Sequence, residues 1–194
     1  MCSCHAALNR SGVGASAPSG PATAELRRDH DLILGAVTVL ERVGDRLEFG
    51  PPVSESALTE LVQLIRTFAD RCHQGKEEGQ LFPALQAKGL SEVLAVFLGD
   101  HDTGRRYLTT LASAVPAAER ALAARRYVGL MRDHIRREND LLFPMAERAL
   151  SAEEQGALAR AYETVEQAAL APGGHEDLVA SLERLTFALV EGMP

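Results

Sequence analysis

Two stretches of this chain carry the same reactive groups in the same order. Residues 73–83 read HQGKEEGQLFP and residues 134–144 read HIRRENDLLFP, so both follow H-x3-E-x3-L-F-P without a gap. Groups four residues apart share one face of an α-helix. His73 with Glu77, and His134 with Glu138, therefore each aim an imidazole and a carboxylate at one place. A single further histidine precedes each block on an apolar stripe: His30 before the first and His101 before the second. Each histidine taken alone fits an ordinary core position. Together they put four imidazoles and two carboxylates into one buried layer, which costs several kcal/mol per ion without a counter-charge. A metal removes that cost by neutralising the carboxylates and using the imidazole lone pairs.

The donor count sets the kind of metal. Four imidazoles and two bridging carboxylates give each of two ions two nitrogens and two oxygens. An octahedral ion keeps two more positions, one for a shared oxo or hydroxo bridge and one open. Mixed imidazole and carboxylate ligation with open positions suits iron, with manganese as the alternative. Zinc prefers fewer ligands in tetrahedral geometry.

Four helices must deliver these groups. Apolar residues recur at steps of three and four over about 24–47, 54–86, 91–115 and 116–150. That is the seam of bundle helices. The inner faces read Leu26, His30, Ile33, Val37; then Ile65, Ala69, His73, Glu77, Leu81; then Phe97, His101, Gly104, Leu108; then Tyr127, Met131, His134, Glu138, Leu141, Met145. Short connections make neighbours antiparallel. Nothing alternates with period two, so no sheet is expected. The H-x3-E repeat, each copy after a helix with one inward histidine, reads as a duplicated helix pair closing with near two-fold symmetry. Two further helices are expected near 151–170, opened by the capping box Ser151–Glu154, and 176–190. The fold is thus all-α: a four-helix bundle over 23–150 with a C-terminal extension over 151–194 and a flexible Ser/Gly/Ala/Pro-rich tail over 1–22.

Composition agrees. The chain has 194 residues, 46% apolar and 24% charged, enough for one folded domain. A net charge of −7 speaks against binding nucleic acid or an anionic membrane. There is no apolar run of membrane-spanning length and no signal-like core in the first 21 residues. Three cysteines argue against a disulfide scaffold and for a reducing compartment, so a cytoplasmic location is expected.

The pattern resembles the hemerythrin-like, or HHE cation-binding, four-helix bundles. The matching residues are His30, His73, Glu77, His101, His134 and Glu138 with the two L-F-P tails, over about 24–150. The resemblance implies a non-haem di-iron centre that handles dioxygen, nitric oxide or peroxide. Oxygen-carrying members have a further histidine four residues after the one on the third helix, where this chain has Arg105, and an Asp bridge where it has Glu138. The six-residue set is more similar to the subgroup linked to nitric oxide response and repair of iron centres. It implies two similarly open metals and reaction with a small oxidant in place of reversible oxygen carriage. An iron-storage or iron-donor role, or a structural metal module without turnover, is the alternative. No nucleotide loop, Walker motif or H-E-x-x-H appears, so any chemistry belongs to the metals.

Neighbouring residues carry further expectations. Tyr127 is expected either to hydrogen-bond into the site or to fill the core. Gly104 is expected to leave room for a small ligand. Glu77 and Glu138, buried together without metal, should raise each other's pKa. Cys72 reads as a small core residue, the C-x-C-H cluster of Cys2, Cys4 and His5 as part of the tail, Glu78 as an outward acid, and His175 as a surface residue. The C-terminal helices could cap the bundle, shield the site, or receive a protein partner or second copy.

Overall fold

A computed structural model of the chain describes residues 20–50, 52–113, 115–170 and 173–191. Among these residues all regular structure is helical. The first helix, α1, is Pro21–Phe49. Pro21 occupies the first turn, where a missing N–H costs nothing. The helix thus takes two residues from the expected tail, and Ala22 is fully buried. Cys2, Cys4 and His5 lie outside the described residues.

The second helix, α2, begins at Glu55–Ile65 behind the Ser54 cap, passes through π-helical turns at Arg66–Gln74 and Glu77–Leu81, and ends in Phe82–Ala87. A Schellman motif closes it. The Leu90 N–H returns to the Leu85 carbonyl and the Gly89 N–H to that of Gln86, with Gly89 at φ 85°. α3 is Ser91–Ala112. α4 comprises Ala117–Arg137, a π turn at Glu138–Leu142, and Phe143–Ala149. α5 is Ala152–Ala169, opened by the Ser151–Glu154 capping box, and α6 is Gly174–Thr186 with a π turn at Phe187–Glu191.

The π turns explain how Pro83 and Pro144 sit inside helices. A proline there lacks a donor and clashes with the carbonyl four residues back. The wider turn relieves both faults. Phe82 and Phe143 donate five residues back, to the carbonyls of Glu77 and Glu138. The extra residue also shifts the helical phase. Leu142 and Ala146 are therefore fully buried, while Leu141, expected inside, is 49% exposed and Met145 only half-buried.

Contacts fix the helix directions. α1 meets α4 head to tail through Thr23–Glu147 and Glu41–Arg132, and α2 meets α3 through Glu78–His101 and Arg66–Thr109. The bundle is antiparallel. Its apolar interior forms two clusters, one around Ile33, Phe68, Leu108 and Met131, the other around Leu26, Leu81, Phe97 and Leu142. Each fully buried Leu or Phe contributes about 1.5–3 kcal/mol over its exposed state. Between the clusters lies one polar layer. α5 and α6 pack along α1 and α2, burying Leu158 and Tyr162 from the first and Leu185 and Leu189 from the second.

Candidate metal centre

The polar layer contains His30, His73, Glu77, His101, His134 and Glu138, each no more than 1% exposed. They form two sets that could each hold a cation: His30, His73, Glu77 and Glu138, and Glu77, His101, His134 and Glu138. Within a set all ligand atoms lie within 4.8 Å of one another. The sets share both carboxylates. Glu138 turns Oε2 to His30 Nε2 at 3.1 Å and Oε1 to His134 Nε2 at 3.0 Å. Glu77 Oε2 lies 3.6 Å from His73 Nε2 and 3.4 Å from His101 Nε2. The imidazoles face each other in pairs, Nε2 to Nε2, at 3.2 Å for His30–His73 and 3.2 Å for His101–His134.

The opposite ring nitrogens explain this orientation. Each Nδ1 meets a side-chain oxygen from the preceding helix round the bundle: His30 with Asn139 Oδ1 at 3.1 Å, His73 with Asp29 Oδ2 at 3.4 Å, His101 with Glu78 Oε1 at 2.7 Å, and His134 with Asp100 Oδ2 at 3.2 Å. An acceptor at Nδ1 keeps the proton there and leaves the Nε2 lone pair free for a metal. The pattern runs round the bundle and repeats by halves. Asp29 and Asp100 each precede a histidine of the layer; Glu78 and Asn139 each follow a glutamate of it. Sequence reasoning missed all four orienting roles and read Glu78 as an outward acid. The duplicated Asp-His at 29–30 and 100–101 was a usable signal.

The phenylalanines of the L-F-P tails close the layer. Phe143 stacks on His30 at 5.4 Å and Phe82 on His101 at 5.7 Å, each nearly parallel. Arg105 turns away from the layer, bonding Asp70 at 2.7 Å and Glu78 at 2.5 Å. It anchors the carboxylate that orients His101.

Charge in the layer is balanced among its own members. For His73, His101 and His134 burial works to lower the pKa, but the carboxylates outweigh it. Glu77 and Asp29 raise His73, Glu77 and Glu78 raise His101, and Glu138 with Asp100 pushes His134 up to about 10. Burial works to raise Glu138, but His134 and His30 hold it well below the usual carboxylate range. The expected mutual elevation of the carboxylates thus fails for Glu138, because imidazoles are its close neighbours. Among the described residues, only imidazoles of the layer approach the oxygens of Glu77 and Glu138. Four converging lone pairs and two such carboxylates fit a pair of cations.

Residues 22–146 match the hemerythrin HHE cation-binding domain. The chain belongs to the hemerythrin family. The match begins in α1 and ends in the last turns of α4, so the hemerythrin domain is the bundle, and α5 and α6 follow it. A domain of this family binds cations, and the buried His/Glu layer is where this one could do so. Three mycobacterial relatives are similar over most of the chain: uncharacterized proteins Rv1995 and MT2051 of Mycobacterium tuberculosis and Mb2018 of Mycobacterium bovis. Each is 29% identical over 179 residues, spanning 84% of this chain and 70% of the relative.

Other expectations resolve in detail. Tyr127 is a core residue 2% exposed, and its ring fills the space opposite Gly104; a Cβ at that glycine would lie 3.4 Å from the ring. The Tyr127 ring thus bounds the space in front of Gly104. Cys72 is fully buried in apolar surroundings, which push its thiol up to about 12. His175, expected at the surface, is 40% exposed at its side chain but bonds Asp29 at 3.2 Å and Glu166 at 3.1 Å. Among the described residues no helix is long and apolar enough to cross a membrane.

Proposed function

We propose that this hemerythrin domain holds two iron ions, one in each half of the layer, and reacts there with dioxygen, nitric oxide or peroxide. The observation that carries this reading is the pair of fully buried carboxylates, each set between imidazole Nε2 atoms of both halves. Iron held there would supply electrons and bind a small ligand. The chain's own residues do the rest. His30, His73, His101 and His134 offer their Nε2 atoms, the rings fixed in place by Asn139, Asp29, Glu78 and Asp100. Glu77 and Glu138 span the halves and neutralise positive charge. Phe82 and Phe143 keep water from the rings. Burial of all six groups admits only a small reactant. No imidazole comes from position 105, so neither half gains an extra donor.

The test is metal analysis after anaerobic loading with ferrous iron, then stopped-flow mixing with O2, NO and peroxide. Two irons per chain, autoxidation in air and a stable NO adduct are expected. A chain that takes up no iron, or an O2 adduct that releases O2 under vacuum through repeated cycles, would overturn the reading.

A further inference from the structure

The duplicated halves are not alike in what lies behind them. In one half Asp29, which orients His73, is 3% exposed at its side chain. It also meets Lys76 Nζ at 3.1 Å and His175 Nε2 at 3.2 Å. Lys76 is fully buried and reaches Glu25 at 2.9 Å and Glu166 at 3.1 Å. His175 bonds Glu166 in turn at 3.1 Å, and its ring stands edge-on to Phe68 at 5.1 Å. Glu166 belongs to α5 and His175 to α6, so both C-terminal helices join this network.

The other half has counterparts on the bundle only. Asp100 orients His134 and meets Arg137, which also pairs with Asp133. Asp100 is 19% exposed and Arg137 25% at the side chain. Neither has a partner on α5 or α6 among the described contacts. The two orienting distances, 3.4 Å for His73 and 3.2 Å for His134, do not favour the covered half. What differs is enclosure. Asp29, though it borders a solvent-open cavity, is itself 3% exposed and held from three sides, so its oxygens have little access to water. A carboxylate at the surface exchanges its partners with solvent.

We propose that α5 and α6 make the two metal positions unequal. His175 and Glu166 are positioning residues: they act through Asp29 and Lys76 on His73. A cation at His30/His73 is therefore retained more firmly than one at His101/His134. This rests on the reading of the layer as a two-metal centre.

The experiment uses the full chain loaded anaerobically with ferrous iron and mixed with excess ferrous chelator, with chelate absorbance followed over time. Two phases of equal amplitude are expected. His175→Ala with Glu166→Gln should speed the slow phase roughly tenfold, the low end for a residue that orients a ligand, and leave the fast phase unchanged. Asp100→Asn should speed only the fast phase. The milder His175→Gln, which keeps a donor toward Asp29, should restore most of the slow phase; circular dichroism confirms that each variant is folded. Two irons leaving in one phase from the unaltered chain would overturn the inference while leaving the two-metal reading intact. So would equal acceleration of both phases by the His175/Glu166 pair. Failure to bind iron at all would overturn the two-metal reading and this inference with it.

Discussion

Asp29 adjoins His30 in the chain but accepts the Nδ1 proton of His73, on the following helix. Asp100 repeats this, adjoining His101 and serving His134. Each histidine of the layer is thus oriented by a neighbouring helix. Helix packing and ligand orientation become one event, and damage to either should show in the other.

The first prediction separates bridging from terminal groups. Glu138 presents a different oxygen to each half, whereas His73 belongs to one. His73→Ala should keep about one iron per chain, while Glu138→Ala should keep less, because both ions lose a donor. Metal analysis after gel filtration checks this. Equal losses would show that Glu138 serves one ion only.

The second concerns the groups that hold the histidines. Glu78→Ala and Asn139→Ala leave every ligand in place but remove an acceptor from His101 or His30. Iron affinity should fall roughly 10–100-fold for each, as for other groups that orient metal ligands. Chelator competition measures it. Unchanged affinity would mean that packing alone fixes the rings.

The third is a pH dependence of the metal-free chain. The His134 pKa stands at about 10 against 6.5 for an ordinary histidine. A raised pKa stabilises the fold fully below the ordinary value, and this contribution is lost as pH rises through the folded value. With chelator present, the melting temperature should therefore fall between about pH 6.5 and pH 10. With iron bound, melting should be higher throughout, since binding to the folded state alone adds stability. A flat profile for the metal-free chain would contradict the assignment.

The fourth concerns the packing in front of Gly104. Its Cβ direction meets Tyr127 at 3.4 Å and Leu130 at 3.8 Å. Gly104→Leu should overpack the core and cost about 1–3 kcal/mol in urea unfolding. Gly104→Ala makes an ordinary contact and should be tolerated. A fully stable Gly104→Leu chain would show that Tyr127 moves freely.

The bundle and the six buried polar residues at its centre were legible because one periodicity reports which side chains turn inward. An imidazole or carboxylate on an apolar stripe is conspicuous. The inward phase beyond Glu138 was not legible, since a π turn leaves no mark in a pattern read at 3.6 residues per turn. Asp29, Glu78, Asp100 and Asn139 escaped because they lie beside the stripe, where acids are ordinary surface residues. Only the fold shows which helix they lean toward. His175 was opaque for a different reason: its partners are 146 and 9 residues away in the chain, and no local spacing announces them.

The π turns at Glu77–Leu81 and Glu138–Leu142 occupy the same place in both H-x3-E blocks. Each widened turn starts at the glutamate of its block, and the phenylalanine that ends it donates to that glutamate's carbonyl. The wide turn at Arg66–Gln74, which contains His73, has no counterpart in α4 among the described residues, where His134 lies on regular α-helix. A two-fold axis through the layer thus relates the winding at the carboxylates but not the winding at the histidines that precede them.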